Sequence, residues 1–227
     1  MKLSIVIPIY IINQHLADLT FKCIESVVKY TDDYELVIID NKPDAIVNGS
    51  ISREEFSSLA DIYVANEKNI GTGAAWYQGA KLVTGKYICF MNNDIEVHKG
   101  WIKPLLKILR EDEKVAVAFP SSKNKEDDDY FERLSGFCWT VRKTTFNKIN
   151  NKIDKGYKIQ DWGLANFEDT SFYMSCKLNG YTLKCDTNSK VDHYSRATTG
   201  KVKEVDELYK HNETKYFNKY KILPIID

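Results

Sequence analysis

Tyr87-Ile88-Cys89-Phe90-Met91-Asn92-Asn93-Asp94 is an apolar run that ends on a carboxylate. Five consecutive apolar residues bounded by turn formers predict a strand buried on both faces, as in a parallel sheet. A charge at the mouth of such a strand needs a cation or a hydrogen-bond donor. Ligands of open α/β sheets bind at the carboxyl ends of the strands, so Asp94 reads first as a ligand-facing group. Asn-Asn-Asp is also good turn chemistry, which is the bland alternative.

Working outward from this run, strand-like and helix-like segments alternate. Leu3 to Ile9 is rich in β-branched residues, and Leu16, Thr20, Cys23, Ile24, Val27 and Val28 then recur at helical spacing between about Gln14 and Tyr30. Leu36-Val37-Ile38-Ile39 and Ile62-Tyr63-Val64-Ala65 read as further strands, with a short helix at Arg53 to Leu59 and another at Thr72 to Val83. The pattern predicts a mainly parallel sheet covered by helices on both faces. Downstream, a helix at Trp101 to Glu111 precedes a strand at Val115 to Phe119. Ser121 to Asp129 and Asn147 to Lys158 read as polar loops, with a strand at Phe137 to Val141 between them. Glu168 to Leu178 is a helix stopped by Asn179-Gly180, and Val205, Leu208, Tyr209, Tyr216 and Tyr220 mark a final amphipathic helix whose aromatic stripe is a packing face.

The chain of 227 residues, 43% hydrophobic and 28% charged, suffices for one sizeable core and is read as one domain. Lys plus Arg and Asp plus Glu each number 32, so no net field recruits nucleic acid or an anionic membrane. The five cysteines include no C-x-x-C pair and suggest reduced thiols in a cytoplasmic protein. The apolar start, Leu3 to Ile12, is broken by Pro8 and lacks a small-residue cleavage site, so it reads as a strand. No stretch approaches the roughly 20 apolar residues of a membrane span, which leaves only peripheral membrane contact open.

Four strand ends fall on one edge of such a sheet: Pro8-Ile9-Tyr10, Asp40-Asn41, Asn66 to Gly73, and Asn92-Asn93-Asp94. Asp40 can accept hydrogen bonds from a base imide or a ribose hydroxyl, or simply serve a turn. In Asn69-Ile70-Gly71-Thr72-Gly73 the glycines let backbone approach a ligand while Thr72 caps the next helix. This is not the three-glycine dinucleotide fingerprint, and no P-loop motif is present. Glu168-Asp169 opens a helix, where the dipole alone would explain two acids. His193 can join Asp94 on a divalent cation, although isolated histidines are commonly just hydrogen-bonded. Trp162, Trp139 and Trp101 offer large aromatic faces for stacking on a ligand ring, with Trp162 favoured and Trp101 assigned to the core.

These residues in this order resemble a family 2 glycosyltransferase of the GT-A fold. The resemblance rests on Ser4 to Tyr10, Leu36 to Asn41, Asn66 to Gly79, Met91 to Asp94, Gly100-Trp101, Gly136 to Arg142, Phe167-Glu168-Asp169 and His193. It implies a Rossmann-like nucleotide-sugar-binding half at 1–120 and a smaller acceptor-side half with the C-terminal helix at 121–227. It also implies an inverting hexosyl or deoxyhexosyl transfer from a UDP-, GDP- or dTDP-linked sugar to a glycan, lipid-linked or protein hydroxyl, assisted by Mn²⁺ or Mg²⁺. Pro8, Tyr10, Asp40, Asn69, Gly71, Asn92 and Asn93 would then bind the donor, Asp94 and His193 the metal. Asp169 would be the catalytic base, with Trp162 and Glu168 near sugar or acceptor. Asn92 stands where the family's D-x-D motif has its first acid, and an amide ligates a metal poorly. Two other enzymatic or binding readings share the fold. A relative that binds or hydrolyses a nucleotide sugar would not depend on Asp169, and a nucleotidyltransferase would need a Gly-rich, basic loop where Ile11-Ile12-Asn13-Gln14 stands. A pure interaction module would treat every acid as turn or cap chemistry.

Overall fold

The computed structural model describes residues 2–124, 136–151, 158–164, 166–194 and 204–221. Strand β1 (Leu3–Ile9) is followed by α1 (Gln14–Tyr30), β2 (Tyr34–Asp40) and a hairpin of β3 (Ile46–Val47) with β4 (Ser50–Ile51). Next come α2 (Ser52–Ser57), β5 (Ile62–Ala65), α3 (Thr72–Leu82), β6 (Tyr87–Met91), β7 (Ile95–Val97) and α4 (Ile102–Glu111). The rest comprises β8 (Val115–Asn124), β9 (Cys138–Arg142), α5 (Lys143–Asn151), a 3-10 turn (Ile159–Trp162), α6 (Glu168–Leu178), β10 (Thr182–His193) and α7 (Glu204–Tyr220).

Among the described residues, eight strands form one mixed sheet in the order β5-β2-β1-β6-β9-β8-β10-β7. The β5-β2-β1-β6 half is parallel, and β9 enters antiparallel between β6 and β8. Strand period decides which helix each residue meets. Ile5, Ile7, Leu36, Ile38, Cys89 and Met91 pack with Leu16, Cys23 and Val27 of α1 and Leu105 of α4. Their neighbours Val6, Val37, Ile39, Ile88 and Phe90 pack on the other face with Trp76 of α3, Phe146 of α5 and Phe172 of α6. Trp139 of β9 lies in that second layer, edge-on to Trp76 at 5.7 Å and tilted on Phe172 at 5.2 Å, so it is core. Trp101 is core as well, its indole N–H donating to Thr31 Oγ1 at 3.0 Å.

Three segments differ from expectation. The polar stretch from Ser121 continues β8 as far as Asn124, because its backbone pairs in parallel with Lys190 to His193 of β10 and the Ser121 hydroxyl reaches Ser189 O at 3.1 Å. The remainder of that expected loop, 125–129, lies outside the described residues. Residues 147–151 are helical rather than loop, since Phe146 and Ile149 supply an apolar stripe buried in the second layer; 152–157 lie outside the described residues. Strand β10 has no counterpart in the sequence reading; along its twelve residues only Leu183 and Cys185, partly buried against the second layer, and Val191 are apolar.

Helix α3 crosses β1 so closely that a Cβ on Gly79 would overlap the Val6 side chain. Gly79→Ala should therefore lower stability by about 1–3 kcal/mol, overpacking outweighing the gain in helix propensity. A urea-denaturation midpoint equal to or above that of the wild type would show that the contact relaxes freely.

Candidate active site

The carboxyl edge of the parallel half gathers the loops after β1, β2, β5 and β6. Asn41 N–H donates to Ile9 O at 2.9 Å and Asn66 N–H to Asp40 O at 2.8 Å, so the ladder is pinned where the strands end. A small open cleft of about 160 Å³ lies above it, lined among others by Tyr10, Asn41, Lys42, Lys68 and Asn69. Tyr10 and Asn69 thus face the cleft. Pro8 lies within β1, opposite Ile39 of β2.

Asp40 is turned inward and fully buried. Its carboxylate accepts from Tyr63 Oη at 2.7 Å, Lys42 N at 2.8 Å and Ser52 Oγ at 3.4 Å. Burial pushes its pKa above the ordinary carboxylate range, with these three bonds pulling the other way. The residue that reaches the cleft at this strand end is Asn41, whose Oδ1 accepts from Asn66 Nδ2 at 3.0 Å. Strand parity contained that signal: Leu36, Ile38 and Asp40 share one face, and Val37, Ile39 and Asn41 the other.

Gly71 and Thr72 are arranged differently from the sequence reading. Gly71, at φ 87°, is itself the N-cap of α3 and offers no side-chain cap, while Thr72 is the first helical residue and donates its N–H to Leu164 O at 3.0 Å. A Cβ at position 71 would collide with the Gly163 carbonyl, so the glycine serves packing against the 163–164 turn. Asn69 closes the loop, accepting from Gly71 N at 2.9 Å.

At the end of β6, Asn92 is half-buried and donates its N–H to Phe137 O at 2.7 Å. Asn93 is buried and tied to α1 through Thr20 Oγ1 at 2.8 Å. Asp94 is 7% exposed, and its Oδ1 is buried without a hydrogen-bond partner, 3.4 Å from His193 Nε2. β10 brings His193 there by pairing antiparallel with β7, and Phe137 stacks on the imidazole at 4.5 Å.

On the opposite side of the edge, Glu168 and Asp169 form the first turn of α6. Glu168 is 7% exposed with a buried Oε2 that has no hydrogen-bond partner. Burial, and next the charge on Asp169, push its pKa up to about 8. Burial raises the half-buried Asp169 as well, opposed by the Thr170 N–H and hydroxyl and by the Gly136 N–H. Trp162 is buried against Phe167 and Tyr216 of α7 at 5.8 and 6.3 Å, so the structure assigns it to packing under the C-terminal helix.

The sequence model of glycosyl transferase family 2 matches residues 4–173. The chain belongs to this family. Among curated relatives, the glycosyltransferase GlyA of Streptococcus pneumoniae is 25% identical over 60% of this chain and 19% of its own length. The dodecaprenyl-phosphate galacturonate synthase of Rhizobium johnstonii is 24% identical over 73% of this chain and 46% of its own. The chain therefore spans less than half of these relatives. Among solved structures, S. aureus TarS superposes with a TM-score of 0.65 at 16% identity, covering 97% of this chain and 40% of that one. GalNAc-T7, solved with UDP, GalNAc and Mn²⁺, gives 0.65 at 16% over 85% and 43%. The fold is GT-A. The family match holds Asp94 and Asp169 but ends before β10 and α7, so His193 lies beyond it.

Folded Glu168 holds a proton up to about pH 8 that an ordinary carboxyl releases near 4.5. Its contribution to stability is thus fully present below 4.5 and lost as pH rises through 8. The advantage of Glu168→Gln over wild type in denaturation midpoint should therefore grow from pH 5 to pH 8.5; parallel pH curves would show that Glu168 ionises normally.

Proposed function

We propose that this chain transfers a hexosyl or deoxyhexosyl group from a nucleoside-diphosphate sugar to an acceptor hydroxyl, with inversion at the anomeric carbon. The observation that carries this reading is the buried Asp94 oxygen without a hydrogen bond beside His193. A buried anionic oxygen is costly unless a cation answers it. Two atoms each about 2.1 Å from one ion would be about 3 Å apart, close to the observed 3.4 Å. The donor set therefore fits a divalent cation, Mn²⁺ or Mg²⁺, held by Asp94 and His193. Among the described residues no cluster of three or more such side chains occurs, so diphosphate oxygens and water would complete the shell. When bound, the ion offsets negative charge developing on the departing diphosphate.

The chain's own residues supply the rest. The cleft beside Tyr10, Asn41 and Asn69 takes the nucleoside, and its rim carries Lys42 and Lys68 together with Asp44 and Glu67, Lys42 pairing with Asp44 at 3.2 Å. Asp169 accepts the proton of the acceptor hydroxyl as its oxygen bonds to the anomeric carbon from the face opposite the diphosphate. The bond from that carbon to the phosphate oxygen breaks with its electron pair on the leaving group, and a single displacement inverts the centre. Burial, and next the charge on Asp169, hold the Glu168 proton up to about pH 8, so Asp169 rather than Glu168 is taken as the base. The UDP in the GalNAc-T7 and TarS 1–349 structures makes UDP-sugars the first donors to test, ahead of GDP- and dTDP-sugars. Residues 1–120 serve the donor and 121–227 the acceptor, a glycan, lipid-linked or protein hydroxyl. The five free cysteines fit a cytoplasmic setting, and no helix among the described residues is long and apolar enough to cross a membrane.

Asp169→Asn should lower transfer by about 10²- to 10⁴-fold and leave donor affinity unchanged. Transfer at the wild-type rate would remove Asp169 from the base role. Asp94→Ala should abolish the metal-dependent part of donor affinity in calorimetry, and an unchanged metal dependence would take Asp94 out of the metal site.

A further inference from the structure

Helix α7 lies outside the family-matched residues, yet it contacts the turn that delivers the chain into α6. Asn212, 1% exposed on α7, donates from Nδ2 to Trp162 O at 2.8 Å and to Asn166 O at 3.2 Å. These two carbonyls bracket the turn. Within and just after it the backbone takes positive φ at Gly163 (75°), Asn166 (71°) and Phe167 (73°). Phe167 is the N-cap of α6, so Glu168 and Asp169 are its first two helical residues and their direction is inherited from this backbone. A left-handed phenylalanine is sterically disfavoured and persists only where its surroundings hold it.

We infer that Asn212 is a positioning residue for Asp169: its amide bridges the two ends of the 162–166 turn and fixes the angle at which α6 presents the acid. The inference rests on the base role proposed above. Both amide hydrogens of Asn212 are needed, one for each carbonyl. Apolar packing alone does not replace them. Tyr209 and Tyr216 of α7 meet the Phe167 ring at 5.2 and 5.7 Å, and Tyr220 Oη meets Ser171 Oγ at 3.1 Å, but rings tolerate sliding that a two-carbonyl bridge does not. The Lys215 ammonium adds a bond to Asp161 O ahead of the turn. On its far side the turn meets the donor loop, since Leu164 O accepts from Thr72 N at 3.0 Å.

The test compares Asn212→Asp, which keeps the shape but sets a carboxyl in place of the two N–H donors against both carbonyls, with Asn212→Ser, which keeps one donor on a shorter arm and adds no charge. Steady-state kinetics and hydrogen exchange are measured on the folded full chain. In Asn212→Asp, kcat should fall about tenfold or more with donor KM little changed, since a misplacement of about 1 Å can cost about 10²-fold in rate. Amide exchange should quicken across 166–169 and not in β1 or β6, and Asn212→Ser should fall between the variant and wild type. Unchanged exchange across 166–169 overturns the inference, as does a normal kcat despite faster exchange. A loss of kcat and KM in proportion to global unfolding also overturns it, because that is what a merely structural asparagine gives. If the wild type transfers no sugar, the proposed function fails separately, and exchange alone decides the inference: faster exchange confined to 166–169 supports the bridge and unchanged exchange overturns it.

Discussion

The parallel pairing of β1 with both β2 and β6 is the constraint on which the rest of the molecule depends. Leu3 lies opposite Tyr34 on one side and Tyr87 on the other, so three strands start together and their far ends are gathered on one edge. Everything chemically unusual sits beyond that edge: Tyr10, Asn41, Asn69 and the Asn92–Asp94 turn. The ladder can be this regular because Val, Ile and Leu fill both faces under α1 and α4 on one side and α3, α5 and α6 on the other. β10 and β7 extend the same sheet and return His193 to Asp94, 99 residues away in the chain.

Two buried glutamates show what the edge costs. Glu35, at the opposite end of the sheet, is raised by burial yet ends below its ordinary range, because Ser4 Oγ at 2.6 Å, Thr84 N at 2.8 Å and Thr84 Oγ1 at 2.9 Å all donate to it. At Glu168 burial, and next the charge on Asp169, drive the shift upward, and Oε2 has no donor to oppose them. The first pattern is what a purely structural buried acid looks like. The second is a cost to stability that persists where a group is kept for a ligand or a proton. Asp94 Oδ1 is likewise buried without a hydrogen-bond donor.

Much of this was legible in the chain. The β1, β2, β5 and β6 runs and α6 announced themselves because continuous apolar strands and a Gly-terminated helix have strong local signals. Asp40 drew attention as a carboxylate at a strand end, and the period-2 alternation turns it toward Tyr63 while Asn41 faces the cleft. β10 was missed because its few apolar residues, Leu183, Cys185 and Val191, are spread among polar ones, and α5 because its apolar pair, Phe146 and Ile149, is diluted by lysines and asparagines. Trp162 was expected to face a sugar; its role under α7 depends on Phe167 adopting a left-handed backbone, which no propensity favours. Asn212 carried no signal at all, since a buried bridging amide is indistinguishable in sequence from a solvated one.

The central claim is that the edge holding Asp94 and His193 binds a nucleoside diphosphate through a divalent cation. Thermal unfolding in the presence of UDP-, GDP-, dTDP- and CMP-linked sugars, with and without Mn²⁺, tests it most directly, because a ligand of the native state raises apparent stability by mass action. One nucleotide class should raise the Tm, with UDP first in line, and the rise should depend on Mn²⁺. Equal midpoints across the whole panel, with and without metal, would contradict the claim.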